Sequence, residues 1–234
     1  MSSQDTFELL SRNFLFRDVD PSALRRVAEL GIKRRLASGE RLFSKGDDGD
    51  ALYGVINGNV AICASGPGRK EVILSVMEPG DILGEVALID GLPRTADARA
   101  LEPADLLMIR RRDFLALLER EPKLSIHLLQ LLCERLRQTN SLVEDAAFLS
   151  LSARLAKRLL SLATLYGEAA EEGVHIGLKL SQSSMARMLG TSRESVNKHL
   201  QEWVRAGYID VARSSVTVKD REALQRIVKD DQGA

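Results

Sequence analysis

From Leu36 to Ile109 the chain consists of short β-favouring runs cut by turn signals, and this alternation constrains its fold more than any other feature. The runs are Arg41 to Phe43, Ala51 to Ile56, Asn59 to Cys63, Glu71 to Met77, Arg94 to Ala100 and Asp105 to Ile109. Between them lie Lys45-Gly46-Asp47-Asp48-Gly49, Asn57-Gly58-Asn59, Ser65-Gly66-Pro67-Gly68 and Glu78-Pro79-Gly80-Asp81. Strands this short cannot bury their apolar faces singly, so regular spacing with glycine turns predicts a small barrel or roll. The flanks Pro21 to Leu30 and Arg112 to Leu118 read as helices.

A second constraint begins after Pro122. Ser125, Leu129, Leu132, Leu136, Thr139, Val143 and Ala146 recur in steps of four and three, which is a heptad seam on one long helix. Such a seam predicts a parallel homodimer; packing against the β-roll would give a similar period. Thr139 is the polar member, a residue type kept on a seam for register, for ligand contact, or simply because it is small. At Phe148-Leu149-Ser150-Leu151-Ser152 the long helix should stop, Ser150 or Ser152 can cap the next, and the segment reads as a hinge. A helix from Ala153 to Leu165, an acidic surface loop from Gly167 to Gly173 and a strand around Val174 to Leu180 follow.

The most specific local pattern comes next. Ser181-Gln182-Ser183-Ser184 caps a helix whose apolar face is Met185, Ala186 and Leu189, and Gly190 ends it. After a tight turn Ser192 caps Arg193 to Arg205, with Val196, Leu200 and Trp203 inward. Two capped helices across a glycine turn form a helix-turn-helix, and the start of the second reaches base edges in the major groove. Arg193 suits the paired acceptors of guanine and Glu194 the cytosine amino group. Gln182, Ser192 and Ser195 can hold phosphates, and Lys198 can do either. Tyr208 to Val211 and Val216 to Val218, around Arg213-Ser214-Ser215, add a hairpin wing.

Charge supports this placement only locally. Lysine plus arginine and aspartate plus glutamate both total 33. From Lys179 to Arg213, however, Lys179, Arg187, Arg193, Lys198, Arg205 and Arg213 face only Glu194, Glu202 and Asp210.

Gly80-Asp81-Ile82-Leu83-Gly84-Glu85-Val86-Ala87-Leu88-Ile89-Asp90-Gly91-Leu92-Pro93-Arg94-Thr95-Ala96 reads as an anion cradle. Gly84 permits close backbone approach, a short helix from Glu85 directs N–H groups outward, and Arg94 offers a forked cation. Glu85 in such a place suits a ribose hydroxyl.

Other chemistries find little support. Cys63 and Cys133 are the only cysteines, and His127, His175 and His199 are scattered, so no metal site is expected. No nucleophile and base come together, so no catalytic residues are expected. With 234 residues and 44% hydrophobic content the chain should form two modest domains. No run approaches the roughly 20 apolar residues of a membrane span. Met1 to Asp5 lacks the pattern of a signal peptide, so a cytoplasmic, membrane-free location is expected.

The cradle resembles the phosphate-binding cassette of cyclic-nucleotide-binding domains. Together with the long helix and Ser192-Arg193-Glu194-Ser195-Val196, it is similar to the cyclic-AMP-receptor branch of the Crp/Fnr regulators from about Leu24 to Val218, Clr-like members responsive to cyclic AMP and cyclic GMP included. The resemblance implies an α+β fold: a cyclic-nucleotide-binding β-roll over 1–120, a dimerisation helix and hinge over 121–148, and a DNA-binding winged helix-turn-helix over 149–234. It implies Gly84 and Glu85 at the ribose, Val86 and Ala87 beside them, Arg94 and Thr95 at the cyclic phosphate, and Thr139 with Asn140 at the purine, one of them across the dimer. Gly46, Gly58 and Gly80 match family turn positions. Arg193, Glu194 and Lys198 become base readers for TGTGA-like half-sites in inverted repeat, and RNA polymerase a partner.

This chain departs from the branch at Thr95 and Asn140, where the branch has serines, and at Asn197 and Lys198, where it has glycine and arginine. Threonine after the cassette arginine accompanies guanine recognition in other cyclic-nucleotide domains, so cyclic AMP is the first candidate ligand and cyclic GMP the second. Gly167 to Gly173 corresponds to the polymerase-touching loop without matching its sequence. An Fnr-type redox sensor would need a cysteine cluster, and a haem sensor axial ligands in the roll. An effector-free regulator, and a nucleotide-binding module without DNA binding, stay open at this level.

Overall fold

The computed structural model describes residues 7–8, 10–11, 15–16, 18–66, 71–178, 181–212 and 215–232. Predicted turn residues Pro67, Gly68, Arg213 and Ser214, and Lys179 and Leu180 at the end of a predicted strand, lie outside them, as do Met1 to Asp5. The described residues divide into two compact units, one within 1–67 and 73–137, the other within 68–72 and 138–234.

The first unit opens with α1 (Pro21–Leu30), started by Asp20, whose Oδ1 accepts from the Ser22 N–H at 2.8 Å. Strands β1 (Ile32–Leu36), β2 (Arg41–Phe43), β3 (Ala51–Asn57), β4 (Val60–Ser65), β5 (Glu71–Met77) and β6 (Ile82–Leu83) follow. Then come α2 (Glu85–Asp90), β7 (Asp97–Ala100), β8 (Ala104–Arg110), α3 (Arg111–Arg120) and α4 (Pro122–Phe148), the last continuing into the second unit. The strands form two four-stranded sheets, ordered β1-β8-β3-β6 and β2-β7-β4-β5. The paired strands run antiparallel, as in the expected roll.

Period-two alternation divides the core. On β3, Ala51, Tyr53 and Val55 face the inside of the roll, while Leu52 and Ile56 join the cluster under the helices. On β8, Ala104 and Leu106 point inward, and Leu107 and Ile109 meet Phe114, Leu117, Leu124 and Leu128 of α3 and α4. Strands buried on both faces explain the nearly continuous apolar runs of the sequence. Gly58 makes the β3–β4 turn at φ 74°, where a Cβ would also sit 2.4 Å from the Pro103 carbonyl oxygen.

Two strands of this unit escaped the sequence reading. In β1, Lys33 and Arg35 are exposed and only Leu36 is buried, so the strand exists through its pairing with β8, Ile32 opposite Met108 through Leu36 opposite Ala104. Charge on an edge strand blunts unwanted pairing. β6 is two residues long and pairs with Tyr53 and Gly54.

The long helix keeps its predicted limits. Its roll-facing stripe is Leu124, His127, Leu128 and Leu131. Leu129, Leu136 and Val143 of the heptad seam are 57%, 61% and 64% exposed. Packing on the roll therefore uses a different face of α4 from the seam.

In the second unit, Ser150 caps α5 (Leu151–Leu165) by accepting from the Ala153 N–H. The segment predicted as a hinge is tied on both sides: Lys157 Nζ meets Asp145 Oδ1 at 2.6 Å, and the Ser150 N–H donates to Asp231 Oδ2 at 2.7 Å. Residues 167–173 are not a loop. They form β9 (Gly167–Ala170) and the start of β10 (Gly173–Ile176), with Gly167 opposite Ile176 and Ala170 opposite Gly173. All four β9 residues are exposed and none is β-branched, so neighbouring β10 holds the strand in place of intrinsic propensity. The helix-turn-helix, α6 (Gln182–Leu189) and α7 (Arg193–Arg205), precedes the hairpin β11 (Ile209–Ala212) and β12 (Ser215–Val218), which completes a sheet ordered β11-β12-β10-β9. A closing helix, α8 (Arg221–Gln232), packs against α5 and was not anticipated.

Asp97 fastens the roll near the cradle. It is buried, accepts from the Ser65 hydroxyl, and takes the Lys45 N–H at 2.8 Å. Burial alone pushes its pKa up; the Ser65 and Lys45 hydrogen bonds, with the charges of Arg41 and Lys45, outweigh this and hold it below the ordinary carboxylate value. A depressed folded-state pKa means that Asp97 stabilises the fold above the unfolded value of about 3.9 and ceases to do so as pH falls through the folded one. Asp97→Ala should cost about 1–3 kcal/mol at pH 7. The difference from wild type should shrink toward pH 3, as read by urea denaturation across pH.

Candidate ligand cradle and nucleic-acid interface

Gly84 joins β6 to α2 in the left-handed region, at φ 88°. A Cβ there would lie 2.5 Å from Arg94 Nη1 and 3.2 Å from the Ala51 carbonyl oxygen, so only glycine lets the backbone come this close. Arg94 is 3% exposed. Its Nη1 donates to the Gly84 carbonyl at 2.9 Å and its Nη2 to the Ala51 carbonyl at 2.7 Å, with Asp50 Oδ1 3.9 Å away. Phe43 and Tyr53 flank the guanidinium. Its Nε is buried without a hydrogen-bond partner among the described residues.

Glu85 is the first residue of α2 and is 1% exposed. Its Oε1 pairs with Arg135 Nη1, and Arg135 Nη2 donates to the Ile82 carbonyl. Its Oε2 is buried and without a hydrogen-bond partner among the described residues. The cradle thus holds one unmatched donor, Arg94 Nε, and one unmatched acceptor, Glu85 Oε2. The Nε atoms of Arg154, Arg158 and Arg187 are buried and unmatched among the described residues too, so it is the pairing of such a donor with an unmatched carboxylate oxygen that sets the cradle apart, and this pairing complements an anion joined to a hydroxyl. Val86 is half-buried, Ala87 is buried and Thr95 is exposed. Thr139 and Asn140 are exposed on the part of α4 that belongs to the second unit.

Arg135 was missed. It follows Leu124, Leu128 and Leu131 at helical spacing, so the legible signal was an arginine continuing the buried stripe of α4. Phe43 and Tyr53 were read only as strand residues.

In the helix-turn-helix, the Ser181 Oγ accepts from the Ser184 N–H at 3.0 Å and the Ser192 Oγ from the Ser195 N–H at 3.1 Å. Gly190 ends α6 at φ 63°. Met188 is buried where Leu189 had been expected; Leu189 is half-buried. Val196, Leu200 and Trp203 bury the inner face of α7 and leave Arg193, Glu194 and Lys198 exposed. Gln182 links the two helices: its Nε2 donates to Asn197 Oδ1 at 2.8 Å, and its Oε1 accepts from Arg193 Nε at 3.3 Å. Glu194's own N–H and the Ser192 hydroxyl hold its carboxyl below the usual range.

Residues 33–121 match the cyclic nucleotide-binding domain, and residues 153–227 match the Crp-like helix-turn-helix domain. Over 219 residues the chain is 33% identical to the CRP-like cAMP-activated global transcriptional regulator of Mycobacterium tuberculosis, covering 94% of this chain and 98% of that one. The chain belongs to the Crp/Fnr family. This Crp/Fnr protein is also 30% identical over 213 residues to the cyclic AMP receptor protein of Thermus thermophilus, covering 91% and 95% of the two chains. Among solved structures, the c-di-GMP responsive global regulator CLP of Xanthomonas campestris matches with a TM-score of 0.76 at 24% identity, over 85% and 99% of the two chains, a likeness of fold.

Within the Crp/Fnr cassette the Glu85–Arg135 pair generates a stability prediction. Removing one partner of a buried pair leaves the other charge uncompensated. Arg135→Met should cost about 3 kcal/mol in chemical denaturation. Adding Glu85→Gln should recover part of the loss by neutralising the stranded carboxylate.

Proposed function

We propose that this Crp/Fnr protein is a cyclic-nucleotide-responsive transcription regulator, not an enzyme, and that it acts as a homodimer on inverted-repeat DNA. One observation carries the reading: a buried cradle with an unmatched guanidinium donor and an unmatched carboxylate acceptor shares a chain with an exposed recognition-helix face. Arg94 and Thr95 would take the cyclic phosphate, and Gly84 with Glu85 the ribose hydroxyl, with Val86 and Ala87 alongside. Thr139 and Asn140, exposed on α4, are assigned to the purine, one of them from the second subunit. Cyclic AMP is the preferred ligand, as for the Mycobacterium and Thermus relatives, and cyclic GMP the second candidate because of Thr95.

The exposed heptad seam of α4 supports dimerisation, since Leu129, Leu136 and Val143 have no cover from the roll. Ligand binding better to one arrangement of the two long helices would shift the population toward the form whose recognition helices meet successive major grooves. Arg193, Glu194 and Lys198 read bases, while Ser192, Ser195, Gln182 and Asn197 hold phosphates or orient the readers. RNA polymerase is the proposed downstream partner. No helix among the described residues is long and apolar enough to cross a membrane, in keeping with a proposed cytoplasmic location.

An effector-free regulator is the second reading, and one observation favours it: both Arg94 Nη atoms already donate to protein carbonyls. Calorimetric titration with cyclic AMP and cyclic GMP, each followed by operator binding, separates the two. Nucleotide-dependent operator binding is expected; unchanged operator affinity with no heat of binding supports the effector-free reading. Arg94→Ala should weaken nucleotide binding at least about tenfold by removing a charge-assisted contact. Arg193→Ala should cost about 1–3 kcal/mol at the operator's guanines and relax the preference there. Unchanged base preference in a binding-site selection would remove Arg193 from the readers.

A further inference from the structure

Phe43 ends β2, opposite Ala98 of β7, and is half-buried. Arg94 Cζ stands 4.4 Å from its ring centroid and 5.7 Å from that of Tyr53, and the two rings are 6.0 Å apart with planes inclined by 34°. Leu42 beside it is buried in the core of the roll, and Phe43 packs half-buried against the same core.

The geometry of a guanidinium separates two kinds of contact. Its N–H groups lie in its plane, and its faces carry none. The carbonyls of Gly84 and Ala51 use in-plane donors, while the Phe43 ring, with Arg94 Cζ over it, takes none of these hydrogen bonds. Two carbonyl bonds leave the plane free to tilt about the line through their acceptors; a ring whose centroid lies 4.4 Å from Cζ opposes that tilt. The unmatched Nε is the donor whose direction the tilt decides.

We infer that Phe43 is a positioning residue for the anionic group of the ligand: its ring fixes the plane of Arg94, so that the unmatched Nε donor is set for the anion before it arrives. The inference rests on the reading of the cradle as a cyclic-nucleotide site. Leucine at this position would occupy comparable space without the negative ring face that attracts the cation. The ligand would then have to order the guanidinium on binding, which weakens affinity. Tyrosine would keep the ring face.

The test compares full-length wild type, Phe43→Leu and Phe43→Tyr. Calorimetry with cyclic AMP should show Phe43→Leu binding roughly tenfold more weakly and Phe43→Tyr close to wild type, with thermal melts confirming that all are folded. In the ligand-free proteins, the Arg94 Nε–H resonance, assigned by its loss in Arg94→Lys, should be shifted upfield by the ring in wild type and Phe43→Tyr, but not in Phe43→Leu. Equal affinity for wild type and Phe43→Leu, equal weakening by leucine and tyrosine, or an Nε–H resonance indifferent to leucine would each overturn the inference. A wild type that binds neither cyclic AMP nor cyclic GMP overturns the nucleotide reading instead, and the ligand-free resonance still reports whether Phe43 holds Arg94.

Discussion

A guanidinium removed from water must be met by the protein around it, and Arg94 places that demand on the β-roll. Three separated parts of the chain meet it: the Ala51 carbonyl on β3, the Gly84 carbonyl at the start of α2, and the rings of Phe43 and Tyr53. Gly84 can approach only because it lacks a Cβ and adopts a left-handed backbone. The match is incomplete at Nε, and this deficit is what supports the proposal that the arginine binds a ligand as well as holding the roll.

Glu85 repeats the arrangement with the opposite sign. One carboxylate oxygen is held by Arg135 and the other is buried and unmatched. Arg135 also donates to the Ile82 carbonyl at the mouth of the same turn, so α4 grips the cradle at two points. The helix that carries the proposed dimer seam on one face thus carries, on another, the arginine that positions the cradle's carboxylate.

The helix-turn-helix shows the same separation of holding from presenting. Met185, Ala186, Val196, Leu200 and Trp203 fix two short helices against each other. Gln182 then aligns Asn197 and Arg193 at the start of α7. What stays exposed is a short set of polar and charged side chains, among them Glu194, whose carboxyl its own N–H and Ser192 hold below the usual range.

Elements whose information is local were legible in the sequence. The glycine turns of the roll, the limits of α1, α4 and α7, the Ser181 and Ser192 caps and the Gly190 stop follow from backbone sterics and hydrogen bonding within a few residues, while the choice of Ser150 over Ser152 as the cap of α5 was left to the structure. The order of the two domains was legible as well, and so was the close backbone approach that Gly84 permits. Strands β1 and β9 were not, because Ile32-Lys33-Arg34-Arg35 and Gly167-Glu168-Ala169-Ala170 have no apolar alternation and become strands only when a neighbour supplies the ladder. Nor could sequence assign Arg135 to Glu85, 50 residues away, or place Phe43 beneath Arg94, since those contacts exist only once the roll has closed. Local periodicity determined which pieces form; burial of charge in a closed roll decided which side chains must meet.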